Sequence, residues 1–178
     1  MSMSAQSILP LWEWVARVSG RGLYKGHTLN AIDAKGRVVI PAGLRQIIEQ
    51  NGTGRLLVIG KHESDPCLIG YDSGWATHLH AQRTHRDSIQ FDKNGTSAGS
   101  NPNRRAFGMT EDVPFDPSGR FVLPPFYKSR AKLDDLAFFL GTGDTFEIWS
   151  PHVLIETPDI DEEIKEIAAY EMQRRAAA

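Results

Sequence analysis

A nine-residue motif occurs twice in this chain and narrows the folds open to it. Residues 33–41, DAKGRVVIP, recur as residues 116–124, DPSGRFVLP. Asp, Gly, Arg, Val and Pro are identical at matched positions, and the intervening apolar residues are replaced by apolar ones. Each copy is followed by a stretch suited to a helix, then by an apolar run ending in glycine, at 56–60 and 137–141. A second apolar run closes each unit, at 67–71 and 145–149. The order of elements matches over about 45 residues. The chain is therefore read as a duplicated strand–turn–strand–helix unit.

The residue types give each element a physical reason. Thr28 to Ile32 and Val38 to Ile40 read as short strands. Between them lies a turn in which Gly36, and Gly119 in the second copy, can take a positive φ without steric cost. Asp33 and Asp116 are the turn-structuring acids, each able to accept hydrogen bonds from nearby backbone amides. Pro41 and Pro124 stop the strand and suit the first turn of a helix, where the missing N–H is no loss. Leu44, Ile47 and Ile48 give that helix one buried face, and Asn51-Gly52 ends it.

Length and charge bound the remainder. A chain of 178 residues fits one domain or two small intertwined ones. No apolar run approaches the roughly 20 residues needed to span a bilayer. Cys67 is the only cysteine. It rules out an intrachain disulfide and a cysteine-rich metal site, and it points to a reducing cytoplasm. The net charge is −2, but residues 151–178 hold seven acids and three bases, so the tail carries −4 and the rest +2. A mildly basic body can still bind an anionic polymer if its cations share a face. Residues 1–22 read as an N-terminal extension, 23–75 as the first repeat and 76–107 as an inter-repeat helix and linker. Residues 108–155 form the second repeat and 156–178 an acidic C-terminal helix. Within the linker, Asp92 to Asn103 is rich in Gly, Ser and Asn and reads as a mobile connection. In the tail, Ile160, Ile164, Ile167 and Ala168 give an amphipathic helix packed on the body or on a neighbour.

The stretch His27-Thr28-Leu29-Asn30, followed by the first motif, resembles the first repeat of the MraZ family, and the second motif resembles its second repeat. The resemblance covers roughly residues 23–155. It implies an α+β, mainly β fold: a duplicated swapped-hairpin β-barrel of the AbrB and MazE kind, with peripheral helices. It also implies a transcriptional repressor of the division and cell-wall gene cluster. Such a regulator works in the cytoplasm at the nucleoid and binds repeated promoter boxes in double-stranded DNA as a closed homo-oligomeric ring, with no cofactor and no membrane. Three departures stand out. Residues 1–22 have no counterpart, the helix ahead of the second motif is shortened, and Pro117-Ser118 replaces Ala34-Lys35.

Arg37 and Arg120 are the leading candidates for DNA contact, because a guanidinium on a turn reaches phosphates or guanine edges bidentately. The competing reading for each is a structural pair with Asp33 or Asp116. Lys35 is a cation at the first turn tip, and Arg45 and Lys25 flank the first motif. Solvated surface is the competing fate of all three, and of Arg104-Arg105. His78, His80 and His85 lack cysteine or carboxylate partners at ligand spacing and read as a solvated helix face. Two alternatives belong to other classes. A MazE-like antitoxin would use the same barrel to hold a toxin, although antitoxins of that kind usually carry one motif. An aspartate-dependent hydrolase would use the paired aspartates. However, neither motif contains Asp-Thr/Ser-Gly, and no phosphate loop or dinucleotide fingerprint is present.

Overall fold

The computed structural model describes residues 20–94 and 102–178, with side chains described outside residues 87–102. The first repeat contains β1 (His27–Ala31), β2 (Arg37–Val39), α1 (Ala42–Asn51), β3 (Leu56–Lys61) and β4 (Leu68–Asp72). Two helices follow, α2 (Ser73–Asn94) and α3 (Pro102–Gly108). The second repeat contains β5 (Thr110–Pro114), β6 (Arg120–Val122), α4 (Pro125–Arg130), β7 (Leu136–Gly141) and β8 (Phe146–Trp149). Helices α5 (Pro151–Glu156) and α6 (Glu162–Ala176) close the chain. Both motifs thus deliver the same short strand, and both prolines hand that strand over to a helix. The part of the linker stretch that is described is helical: Asp92 to Asn94 end α2, and Pro102 and Asn103 begin α3. Residues 95–101, and residues 1–19 of the extension, lie outside the described residues.

The two repeats are joined strand by strand. β1 pairs with β7, β2 with β6, β3 with β5 and β4 with β8, so every strand has a partner in the other repeat. Only β3–β4 and β7–β8 pair within a repeat. All pairings are antiparallel. Six strands form one sheet in the order β1-β7-β8-β4-β3-β5, while β2 and β6 form a separate two-stranded ribbon.

This corrects two expectations. The sheet does not close into a barrel, because β1 and β5 remain its edges. Pro114 sits in edge strand β5 and has no N–H to offer a further partner. Both faces of the sheet are covered by apolar clusters. The fold is α+β but not mainly β, since more of the described residues lie in helices than in strands.

Strand alternation supplies both faces. In β7, Ala137 and Phe139 enter one cluster and Phe138 the other. The larger cluster includes the inward residues of the ribbon, Val38 and Phe121, with Ile40 and Leu123 just beyond them, together with Leu44 and Ile48 of α1 and Tyr127 of α4. The opposite face holds Phe138 and Trp149 under Leu154 and Ala168, with Ile160, Ile164 and Ile167 of the tail packed alongside. The C-terminal helix is therefore docked on the body, as its spacing implies. Strands covered on both faces read as near-continuous apolar runs, which is the pattern of 56–60 and 137–141. Among the described residues, no helix is long and apolar enough to cross a membrane.

Candidate nucleic-acid interface

The two motifs build the same turn. In the first, Asp33 Oδ1 accepts hydrogen bonds from the Lys35 and Arg37 amides, both at 2.9 Å. The Gly36 amide donates to the Asp33 carbonyl at 2.9 Å. In the second, Asp116 Oδ1 accepts from the Ser118 and Arg120 amides, again both at 2.9 Å, and the Gly119 amide donates to the Asp116 carbonyl at 2.9 Å. Gly36 and Gly119 have φ of 76° and 87°, a region that side chains with a Cβ rarely enter. Each turn is then tied to the other repeat. The Leu123 amide donates to the Gly36 carbonyl at 2.9 Å and the Ile40 amide to the Gly119 carbonyl at 2.8 Å.

The turns differ in what surrounds the aspartate. Arg37 Nε donates to Asp33 Oδ2 at 2.6 Å, and both side chains remain more than two-fifths exposed. In the second turn the Ser118 hydroxyl takes up Asp116, at 2.6 Å, and Arg120 hydrogen-bonds that aspartate through its backbone amide, its guanidinium charge acting from farther off. Both carboxyls are held below the ordinary aspartate value. For Asp33 the main cause is the hydrogen bond from the Arg37 amide, and for Asp116 it is the bond from the Ser118 hydroxyl. Both acids therefore anchor their turns in ionised form.

The ribbon turns alternate residues inward and outward. Val38 and Phe121 are buried, whereas Arg37, Val39, Arg120 and Val122 face solvent. Arg37 lies opposite Val122 and Arg120 opposite Val39, so the two arginines stand diagonally, about 7–8 Å apart at their roots. A shallow groove of about 260 Å³ on this face is lined by Asp33, Arg37, Val39 and Arg120, with Ala31 beside them. Asn30 Nδ2 steadies the ribbon edge by donating to the Val39 carbonyl at 2.7 Å.

Of the sequence candidates, Lys35, Arg37 and Arg120 come together at this ribbon. Arg45 joins them from α1 by donating from Nη1 to the Pro117 carbonyl of the second turn at 3.3 Å. Lys25 does not join them. Its backbone packs on Gly141, beyond the start of β1, roughly 20 Å along the strand from the first turn. Val39 and Val122 are not among the sequence candidates, although the strict in–out alternation of Arg-Val-Val-Ile carries that signal. One group of possible metal ligands occurs among the described residues, His62, Asp65 and Glu147, and none of the three histidines singled out above belongs to it. Its atoms are used within the fold: His62 Nδ1 accepts from the Asp65 amide at 3.0 Å, and Glu147 Oε2 accepts from Trp149 Nε1 at 2.7 Å.

The chain is thus an internally duplicated α+β protein that displays a cationic two-stranded ribbon held between two aspartate-anchored turns. No family model matches the chain. Among curated proteins it is similar to the transcriptional regulator MraZ of Saccharophagus degradans, 30% identical over 129 residues, 72% of this chain and 82% of the relative. The transcriptional regulator MraZ of Coxiella burnetii is 30% identical over 127 residues, 71% of this chain and 79% of that protein. That of Syntrophobacter fumaroxidans is 26% identical over 136 residues, 74% and 81% respectively. The chain belongs to the MraZ family. Its relatives are named transcriptional regulators, which sets the hydrolase reading aside.

Proposed function

We propose that this protein is a DNA-binding transcriptional repressor that acts on the division and cell-wall gene cluster, binding repeated promoter boxes as a closed ring. The observation that carries the reading is the open face of the ribbon. Arg37 and Arg120 both stand in solvent there, and only Arg37 is engaged by a carboxylate. Pairing through Nε leaves the outer edge of the Arg37 guanidinium available to an acceptor. In this reading Arg37 and Arg120 reach base edges, while Lys35 and Arg45 contact the flanking phosphates. The pairing of every strand with the other repeat supports a swapped-hairpin origin for the two units, residues 23–75 and 108–155.

Few cations per subunit make a single contact weak, since each neutralised phosphate adds only about 0.9 to the salt slope. Several ribbons on one ring make later contacts intramolecular and raise avidity by about 10² to 10⁴. This accounts for DNA binding by a chain of net charge −2. The site of action is the cytoplasm, at the nucleoid.

Gel shifts on the DNA upstream of its own gene, combined with light scattering, test the reading. Arg37→Ala abolishes the shift and leaves the particle mass unchanged. Loss of the oligomer instead makes Arg37 a structural residue, and equal affinity for fragments with one and several boxes refutes the avidity argument.

A further inference from the structure

We propose that Val39 and Val122 select sequence on this ribbon, each receiving the methyl group of a thymine in the major groove; the proposal rests on the DNA-binding reading above. Five large apolar side chains are exposed among the described residues, and Val39, at 38%, and Val122, at 51%, are two of them. These two occupy equivalent positions in the two repeats and point from the same face. Their immediate cross-strand neighbours on that face are the two arginines.

Phosphate oxygens offer nothing to an isopropyl group. A base edge does, because thymine presents its methyl in the major groove beside the acceptors that guanine offers to arginine. The dimensions agree. The major groove, about 12 Å wide, admits a two-stranded β-ribbon. Along the ribbon, Arg37 and Val39 are two residues apart, about 6.6 Å. Two base-pair steps along B-DNA span about 6.8 Å. Each end of the ribbon thus brings one arginine and one valine to the same level, so a guanine and a thymine methyl are read together there. The charge of the face selects the occupant. Asp33 commits both carboxylate oxygens and Asp116 its Oδ1 to their own turns, and the side chains the ribbon strands themselves turn outward are the two arginines and the two valines.

The test is a thermodynamic cycle on one upstream fragment, amplified either with thymidine triphosphate or with deoxyuridine triphosphate, which removes every thymine methyl. The wild type and the Val39→Ala/Val122→Ala variant are titrated against both fragments. The expected result is that the wild type prefers the methylated fragment by about fourfold for each methyl it buries, whereas the variant binds the two equally. The proposal is overturned if the wild type shows no preference, or if the variant keeps the full preference. A fall in particle mass of the variant also overturns it, since the valines then belong to a contact between copies. Should the wild type bind neither fragment, the regulator reading fails and takes this assignment with it. Because both side chains are exposed, the variant should melt close to the wild type, and the wild-type arm alone decides if it does not.

Discussion

Removing one guanidinium near the start of the described chain should destabilise the whole body. Arg21 Nη2 lies 2.5 Å from Asp72 Oδ2, with the two side chains 10% and 0% exposed. Asp72 also accepts from the Tyr24 hydroxyl at 2.8 Å and from the Trp75 amide at 3.0 Å. Burial, and then the Asp72 charge, hold the Tyr24 hydroxyl protonated, so it stays a donor. Arg21→Ala strands a buried carboxylate with neutral donors only and removes the guanidinium that sits 5.6 Å from the Trp75 ring. Breaking a buried pair costs about 3–5 kcal/mol. The two surviving donors place this case near 3 kcal/mol, a fall of roughly 6–12 °C in Tm for a chain of this size. Differential scanning calorimetry of the wild type, Arg21→Ala and Arg21→Ala/Asp72→Asn measures it. The double variant should melt above the single one, because the stranded charge is gone. A single variant melting within 2 °C of the wild type, or a double variant no better than the single, refutes the reasoning.

Two further outcomes follow from the turns. Gly36→Ala should cost about 1–2 kcal/mol for its left-handed backbone, whereas Gly119→Ala should cost more. An added Cβ at Gly36 meets nothing nearer than 3.8 Å, while at Gly119 it meets the Ile40 carbonyl and Arg45 at 3.1 Å; parallel thermal melts rank the two. The Asp33 carboxyl, held down mainly by the Arg37 amide, contributes stability that is present above its unfolded-state pKa and lost as pH falls through its lower folded value. Carboxyl NMR titration should place its midpoint below the ordinary 3.8, and Arg37→Ala should move that midpoint upward.

Much of this was legible in the sequence because its causes are local. The Asp–Gly–Arg spacing defines a turn by its own hydrogen bonds, proline ends each strand, and the apolar runs at 56–60 and 137–141 announce strands covered on both sides. What could not be read depends on residues far apart in the chain. Arg45 reaches the turn at Pro117, 72 positions away. Arg21 lies within the stretch read as an extension, yet its partner is Asp72, 51 positions on. The barrel was carried over from the resemblance, and whether a sheet closes is decided by its edges, here β1 and β5, which local patterning does not describe. Lys25 looked adjacent to the first turn in sequence, but an extended strand carries neighbours apart.

The pairing of β1 with β7 makes folding wait on synthesis. His27 finds its place only against Leu140, and Ala31 only against Leu136. More than a hundred residues must therefore leave the ribosome before the first strand can be seated. At about 5–20 residues per second, the amino-terminal half waits roughly 5–20 s with apolar strands unsatisfied. A nascent chain arrested before residue 136 should thus be a ready client for chaperones, and one released after Trp149 should not.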